Sequence, residues 1–263
     1  MVNLAAPAVD NYLIDIARGA TSSALGTAPV LVTGFNGDVD NVREDLWDNG
    51  GTYVFPANTG IRMRIVSSSI SDAGDPVGTG ALTVDIHYLD AAGESQEEQL
   101  TLNGTTEVLT VATNIRRIID FHVKTVGTNR TAVGNISLTN TAGNVTYAVI
   151  PAGNNRARQA VYTVPLGKKL FVNALWGGSG AVSGAHYCEI MLRATCDVIE
   201  SELLPGVFNH KTGLVVLNGA SSVYFPIPIT FPALADVKLT ALSDASNASV
   251  VVSGGFSGWL ENE

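Results

Sequence analysis

The sequence predicts an all-β protein: two tandem antiparallel β-sandwich domains of jelly-roll type with an irregular N-terminal arm. Three observations predict this class. Apolar runs of strand length alternate with turns rich in Gly, Pro and Asn along most of the chain. Only 15% of the 263 residues are charged, against about 25% in typical globular domains. Landmarks of the first half also recur in the second half in the same order, which favours two similar sandwiches.

Residues 1–45 are predicted to form the N-terminal arm or irregular segment. Asn11 to Arg18 contains one possible helical turn, and Gly26 to Val32 includes a short apolar run that could be a strand. The remaining text is rich in glycine and proline, which interrupt regular elements. We therefore expect little regular structure before Trp47.

Residues 46–144 are predicted to form the first β-sandwich. Ile61 to Ser68 and Leu82 to Leu89 alternate apolar and polar side chains, which is typical of strands with one buried face. Asn103-Gly104 separates two further apolar runs, and this dipeptide favours a tight hairpin because both residues tolerate positive φ.

Residues 145–263 are predicted to form the second β-sandwich, and they repeat the plan of the first. Leu170 to Trp176 corresponds to the strand at Ile61, and Asn218-Gly219 corresponds to Asn103-Gly104. The boundary falls between two turns near residues 140–155. The run from Val145 to Ile150 between these turns could belong to either half.

Charge and hydropathy exclude several classes of function. The formal net charge is −9, and Lys and Arg occur as isolated pairs rather than as the basic stripe that nucleic-acid binding requires. No apolar run reaches the roughly 18 residues of a membrane span. The first ten residues lack the basic and apolar regions of a signal peptide. We therefore expect neither a nucleic-acid nor a membrane partner, and synthesis in a cytoplasm.

The two cysteines are predicted to be small core residues. If Cys188 and Cys196 lie on one strand, roughly 26 Å separates them. A disulfide cannot span that distance. Two free thiols also fit a reducing compartment.

No motif of a catalytic, cofactor or metal site is present. The sequence lacks HExxH, His-x-His, Cys-x-x-Cys, the Gly-x-Ser-x-Gly elbow, the dinucleotide fingerprint and the P-loop. A structural role is favoured for each of the four histidines, which are His87, His122, His186 and His210. We therefore predict no catalytic residue, no cofactor and no metal ligand.

Two acidic segments and one tryptophan could have either a binding role or a structural role. Residues 38–48 place five carboxylates in eleven residues, but they lack the central Gly and terminal Glu of a calcium loop. A solvated loop or a contact with a basic partner is favoured there. Glu94, Glu97 and Glu98 are interpreted as charge protection of a sheet edge. Trp176 could stack on a sugar, although burial at a sandwich end is favoured.

Several turn and strand motifs between about residues 45 and 240 resemble a recurrent pattern in structural proteins of tailed bacteriophages. They are Leu46 to Pro56, Ile65 to Ser69, Gly78 to Ala81, Leu100 to Thr106, Ile150 to Gly153 and Val161 to Lys168. The resemblance implies a virion component on the outside of a capsid or on a tail. It carries over no catalytic residue.

Three functions are weighed on this basis. The first is a non-enzymatic capsid decoration, cement or minor capsid protein. It would form a homo-oligomer, such as a trimer, and would contact other virion proteins such as the major capsid protein. The second is a tail, neck or fibre protein that binds a host-surface glycan or adapts other tail parts. The third is a glycan-cleaving enzyme, which needs two carboxylates about 5–10 Å apart in a cleft, and no such pair is evident.

Overall fold

The computed structural model describes residues 12–19, 25–181, 184, 186–197, 202–245 and 250–263. Residues 1–11 and 20–24 of the predicted arm lie outside the described residues. The described chain contains one short helix and is otherwise built of strands. These elements are α1 (Tyr12–Arg18), β1 (Ala28–Val39), β2 (Glu44–Asp45), β3 (Met63–Ser67), β4 (Ala81–Leu89), β5 (Ser95–Thr101), β6 (Val108–Leu109), β7 (Arg117–Val126), β8 (Ile136–Asn140), β9 (Thr146–Ile150), β10 (Val161–Thr163), β11 (Lys168–Ala181), β12 (Tyr187–Ala194), β13 (Asn209–Leu217), β14 (Ala220–Phe231), β15 (Asp236–Ser243) and β16 (Val250–Asn262). Within these ranges, no helix has the length and hydropathy of a membrane span.

The first sandwich packs a sheet of order β6-β3-β8-β9 on a sheet of order β5-β4-β7. One apolar core lies between them, with side chains from both sheets. In β3, Met63 and Ile65 are fully buried whereas Arg64 between them is not. The predicted alternation of this strand is therefore confirmed.

The second sandwich is a jelly roll. One sheet has the order β1-β16-β11-β14, and the other has the order β10-β15-β12-β13, with β2 also pairing with β15. If β2 and β10 are taken as one interrupted strand, the chain runs through eight strand positions that interleave across the two sheets. This is the double Greek key of the jelly-roll architecture. The all-β sandwich class predicted from the sequence is confirmed.

Strand β1 differs from the expectation of an irregular arm. It pairs antiparallel with β16 from Ala28↔Leu260 to Val39↔Val250, so it is a full member of the jelly roll. A glycine in this strand marks close packing rather than a loop. A Cβ atom on Gly34 would lie 2.3 Å from the carbonyl oxygen of Leu46.

The first sandwich is inserted into the second one. Strands β1 and β2 precede it and pair with β16 and β15 of the jelly roll, and β10 returns the chain to the same jelly roll. Strand β9 pairs with β8 in the first sandwich, although residues 145–150 begin the predicted second domain. The two cores are therefore nested along the chain. The predicted boundary at residue 45 separates β1 and β2 from the rest of the jelly roll. The predicted boundary at residue 144 separates β9 from the rest of the first sandwich.

The two predicted Asn-Gly turns join strands of different sheets. Gly104 has a φ of 60° and Asn218 has a φ of 41°, as the turn chemistry requires. However, β5 and β6 lie in the two opposed sheets of the first sandwich, and β13 and β14 lie in the two opposed sheets of the jelly roll. Each dipeptide therefore turns the chain between layers instead of closing a hairpin within one sheet.

A buried ion pair and an aromatic cluster join the two sandwiches. Arg117 of β7 donates to both carboxylate oxygens of Asp236 of β15, at 2.8 and 2.9 Å. Trp47, Tyr53 and Val161 form a small apolar cluster where the chain enters and leaves the insertion. Burial raises the pKa of Tyr53 well above its ordinary value, so its hydroxyl stays neutral.

Both cysteines are free and fully buried in the jelly-roll core, as predicted. Burial raises the pKa of Cys188 to about 11, because desolvation disfavours the thiolate.

We expect neither thiol to react with a chromogenic disulfide reagent at pH 8 until denaturant unfolds the chain. The pKa of Cys188 in the folded protein lies above that of an unfolded thiol. The contribution of Cys188 to stability is therefore complete below about pH 9 and is lost as the pH rises towards 11. Rapid labelling of native protein would contradict the expectation.

Candidate functional site

Two Asp-x-His tripeptides lie side by side on adjacent strands of the first sandwich. Asp85 and His87 belong to β4, and Asp120 and His122 belong to β7. The antiparallel register places Asp85 opposite His122 and His87 opposite Asp120. Each aspartate therefore faces the histidine of the other tripeptide. These four residues are called the Asp/His quartet below.

The core determines which way the quartet faces. Ile86 and Phe121, the central residues of the two tripeptides, are fully buried in the core between the sheets. Successive side chains of a strand point to opposite faces. The four polar side chains therefore lie together on the outer face of the β5-β4-β7 sheet.

The donor atoms of three quartet residues converge. One ligand-type atom each from Asp85, His87 and His122 lies within 4.8 Å of the other two. The two imidazole rings are stacked, with centroids 5.5 Å apart and planes inclined by 17°. The Nε2 atom of His122 is 3.8 Å from Oδ2 of Asp85. The stacked rings direct their nitrogen lone pairs along nearly parallel planes, so a cation could contact all three side chains once at least one ring rotates towards it.

Asp120 orients His122 instead of joining this group of donors. Its Oδ2 atom is 2.9 Å from Nδ1 of His122, and its Oδ1 atom accepts from Nε of Arg156 at 2.7 Å. A neutral His122 that donates Nδ1–H to Asp120 keeps the lone pair on Nε2. Nε2 is also the ring nitrogen that faces Asp85, 3.8 Å from its Oδ2 atom.

Lys124 on β7 balances the charge of the buried carboxylate. The Asp85 side chain has no solvent exposure, and its Oδ2 atom lies 2.6 Å from Nζ of Lys124. Desolvation alone would raise the pKa of Asp85, but the contact with Lys124 and the nearby His122 hold it below its ordinary value. The Lys124 pKa is raised in turn by Asp85. Asp85 is therefore an anion in the folded protein at neutral pH.

Glu97 of β5 completes the outer side of the cluster. It lies opposite His87 in the register, and its Oε1 atom is 3.9 Å from Nε2 of His87. Both side chains are partly exposed, so this side of the cluster opens to solvent. Two imidazoles and a buried carboxylate, with the partly exposed Glu97 beside them, are side chains that divalent transition metals commonly bind. A structural role for His87 and His122, and the absence of a metal ligand, stay predictions.

The acidic segment 38–48 does not form one site. Asp45 accepts from Nζ of Lys238 at 2.9 Å, and Oδ1 of Asp48 accepts from two side-chain nitrogens of Arg158 at 2.9 and 2.6 Å. Glu44 accepts from the side chain of Asn36 at 2.7 Å. Most of these carboxylates have partners within the chain, so they fasten the start of the insertion to the jelly roll.

Trp176 is half-buried and lies at the edge of a shallow cleft on the outer face of the jelly roll. The cleft has a volume of about 390 Å³, and glycine, serine and alanine residues of β11, β14 and β16 form the rest of its wall. Trp47 and Trp259 are buried. Of the three tryptophans, Trp176 is therefore the one with a face available to a ligand.

The quartet could have been found from the sequence by one pattern. Asp85-Ile86-His87 and Asp120-Phe121-His122 share the form Asp-apolar-His, and each lies in an alternating strand. This form contains a single histidine, so it does not match the metal motifs that are defined by two histidines or two cysteines. The register that opposes the two tripeptides is a property of the fold and is not visible in either strand alone.

The fold and the site define an all-β protein with a jelly roll, an inserted β-sandwich and a polar Asp/His cluster on the insertion. No protein-family model matches the chain, and no curated protein matches it. A solved structure of infectious bursal disease virus, strain Gt, shares 10% identity, with 90% of this chain and 72% of that chain covered, at a TM-score of 0.19. A mutant VP2 protein of the same virus shares 11% identity, with 91% and 78% covered, at a TM-score of 0.15. These values assign neither a family nor a function, and the resemblance to tailed bacteriophages stays a prediction.

Proposed function

We propose that this chain is a non-enzymatic virion structural protein that acts as a capsid decoration, cement or minor capsid protein. The observation that carries the proposal is the exposed apolar surface of β13 and β14, called the β13–β14 edge. Val215, Leu217, Tyr224 and Ile227 are 68%, 63%, 59% and 85% exposed. These side chains belong to the end strands of two opposed sheets, and large apolar side chains left exposed on edge strands favour contact with another subunit.

The β13–β14 edge also offers open hydrogen-bonding groups. Strand β13 ends one sheet of the jelly roll and β14 ends the other. An open edge can accept a strand of a neighbouring subunit. Pro226 and Pro228 of β14 lie where its pairing with β11 shifts in register. A proline has no N–H group to donate to an added strand, so β14 is a poor edge for strand addition. Strand β13 contains no proline, so we assign strand addition to β13 and apolar contact to both strands.

The architecture supports the same class of function by analogy. Jelly rolls recur in viral capsid and lectin domains, although a fold alone does not determine a function. When the jelly roll contacts the shell, the inserted sandwich is left free to contact a second partner. The low content of charge suits close packing between subunits.

Replacing Leu217 and Ile227 together by aspartate tests the proposal. We expect the unmodified chain to form a discrete oligomer and to co-elute with empty capsids in mass-resolved size-exclusion chromatography. The double variant should lose both properties. Each buried aliphatic side chain is worth about 1.5–3 kcal/mol, so the dissociation constant should rise about 100-fold or more.

Ile70→Asp is the matched control, because Ile70 is 78% exposed on the first sandwich, away from the β13–β14 edge. Its oligomer and its capsid binding should equal those of the unmodified chain. A far-ultraviolet dichroism spectrum must show that all variants keep their strands. The proposal would be overturned if the unmodified chain were monomeric and did not bind capsids.

A second candidate is a tail, neck or fibre protein that binds a host-surface glycan, and the Trp176 cleft favours it. An aromatic face beside small polar residues can stack on a sugar ring. The same chromatography separates the two functions. A discrete oligomer that does not bind the shell would support the tail protein, whereas co-elution with the shell supports the capsid protein.

A further inference from the structure

We propose that the Asp/His quartet is a binding site for one divalent transition metal ion of the Zn²⁺ type. The ligands are a carboxylate oxygen of Asp85, a ring nitrogen of His87 and Nε2 of His122. Three protein donors with an open fourth position are a known arrangement for Zn²⁺. Nitrogen donors in this number distinguish the site from the all-oxygen sites of Ca²⁺ and Mg²⁺.

The site is held by regular structure. All three ligands belong to β4 and β7, which pair through most of their length in the β5-β4-β7 sheet. The residues between the ligands are anchored in the core on the opposite face. A ligand set on paired strands loses little conformational freedom when a metal binds.

Asp120 and Arg156 supply the outer support that metal-binding histidines require. Asp120 accepts the Nδ1–H of His122, and Arg156 fixes Asp120 at 2.7 Å. This chain of contacts sets the tautomer and the ring orientation of a ligating imidazole. Asp120 is therefore a positioning residue.

Asp85 is a buried anion whose charge is balanced by the partly exposed side chain of Lys124. Both carboxylate oxygens of Asp85 are buried without a hydrogen bond of regular geometry among the described residues, although the side chains of Lys124 and Gln99 interact with the carboxylate. The ammonium group of Lys124 supplies a cation at Oδ2, but its side chain is 50% exposed, so it can swing into solvent. A bound metal would replace Lys124 as the partner of Asp85. Lys124 is therefore a competitor of the metal.

The test is a titration of the chelator-treated full chain with Zn²⁺ by calorimetry, followed by Co²⁺ absorption spectroscopy. We expect one ion per chain and a Co²⁺ spectrum of tetrahedral coordination with nitrogen and oxygen donors. His122→Ala should weaken binding about 100-fold or more. Asp120→Asn should weaken it about 10–100-fold, as the loss of an orienting partner does.

Lys124→Met should tighten Zn²⁺ binding, because the metal then has no ammonium group to displace. This variant changes an exposed side chain, so it tests the site even if His122→Ala does not fold. His186→Ala is the matched control. His186 also lies beside an aspartate, with Nδ1 3.0 Å from Oδ1 of Asp244, but it belongs to the jelly roll. Its removal should leave affinity unchanged.

Three outcomes would overturn the proposal. They are an absence of Zn²⁺ binding, equal binding by the unmodified chain and His122→Ala, and weaker binding by folded Lys124→Met. These results are independent of the assembly experiment, because a monomer that binds no capsid can still bind a metal ion.

Discussion

Asp236→Ala is expected to lower the free energy of unfolding by about 3–5 kcal/mol, as the loss of one partner of a buried ion pair does. The side chains of Arg117 and Asp236 are only 7% and 12% exposed. Without Asp236, the guanidinium group of Arg117 stays buried with no carboxylate to balance it. Thr163, which donates to Asp236 at 2.6 Å, also loses its acceptor. Chemical denaturation followed by circular dichroism measures the change.

Asp15→Ala is the control for this prediction. Asp15 and Arg18 form an ion pair at 4.0 Å with side chains 45% and 69% exposed. Exposed pairs contribute about 0–1 kcal/mol, so this variant should unfold almost as the unmodified chain does. Replacing Arg117 by Met and Asp236 by Leu together should restore much of the loss, because no buried charge then remains. Equal stability of Asp236→Ala and Asp15→Ala would contradict the prediction.

Asp72→Ala is expected to destabilise the chain by at least about 3 kcal/mol, because it leaves several buried donors without an acceptor. Asp72 is fully buried. Its carboxylate accepts from the backbone N–H groups of Ala81, Val133 and Gly134 at 2.8, 2.9 and 2.8 Å. It also accepts from the hydroxyl of Ser67 at 2.6 Å. One side chain thus ties two strand ends and a distant loop together. The midpoint of denaturant unfolding reports the change.

Glu94→Ala removes a carboxylate that is exposed on the same sandwich, and it should change stability by less than about 0.5 kcal/mol. The difference between the two variants isolates the buried hydrogen bonds from the loss of one negative charge. An Asp72→Ala protein as stable as Glu94→Ala would show that water or a rearranged loop satisfies the four donors.

Local patterns predicted the strands but not their partners. The alternation of Met63 and Ile65 with Arg64 is visible in five residues, and the structure confirms it. The pairing of Val39 with Val250 joins residues more than 200 positions apart, and no local pattern contains it. The two Asn-Gly turns are correct as turns, yet each connects strands of opposed sheets, because packing between layers decides where the next strand lies.

The candidate site shows the same division. The form Asp-apolar-His was present twice in the sequence, but the predicted role of each histidine was structural. Only the register between β4 and β7 places Asp85 opposite His122. The role of Asp72 was equally hidden, because its four donors come from three separate parts of the chain.

The sequence by itself determined the all-β class, the alternating strands and the buried free cysteines. These features follow from composition and from the two-residue period of a strand, which each short segment carries alone. Only the tertiary structure decided that β1 belongs to the jelly roll, that the first sandwich is an insertion, and that two polar tripeptides meet. These features depend on which apolar faces bury each other best, and that choice is made by the whole chain at once.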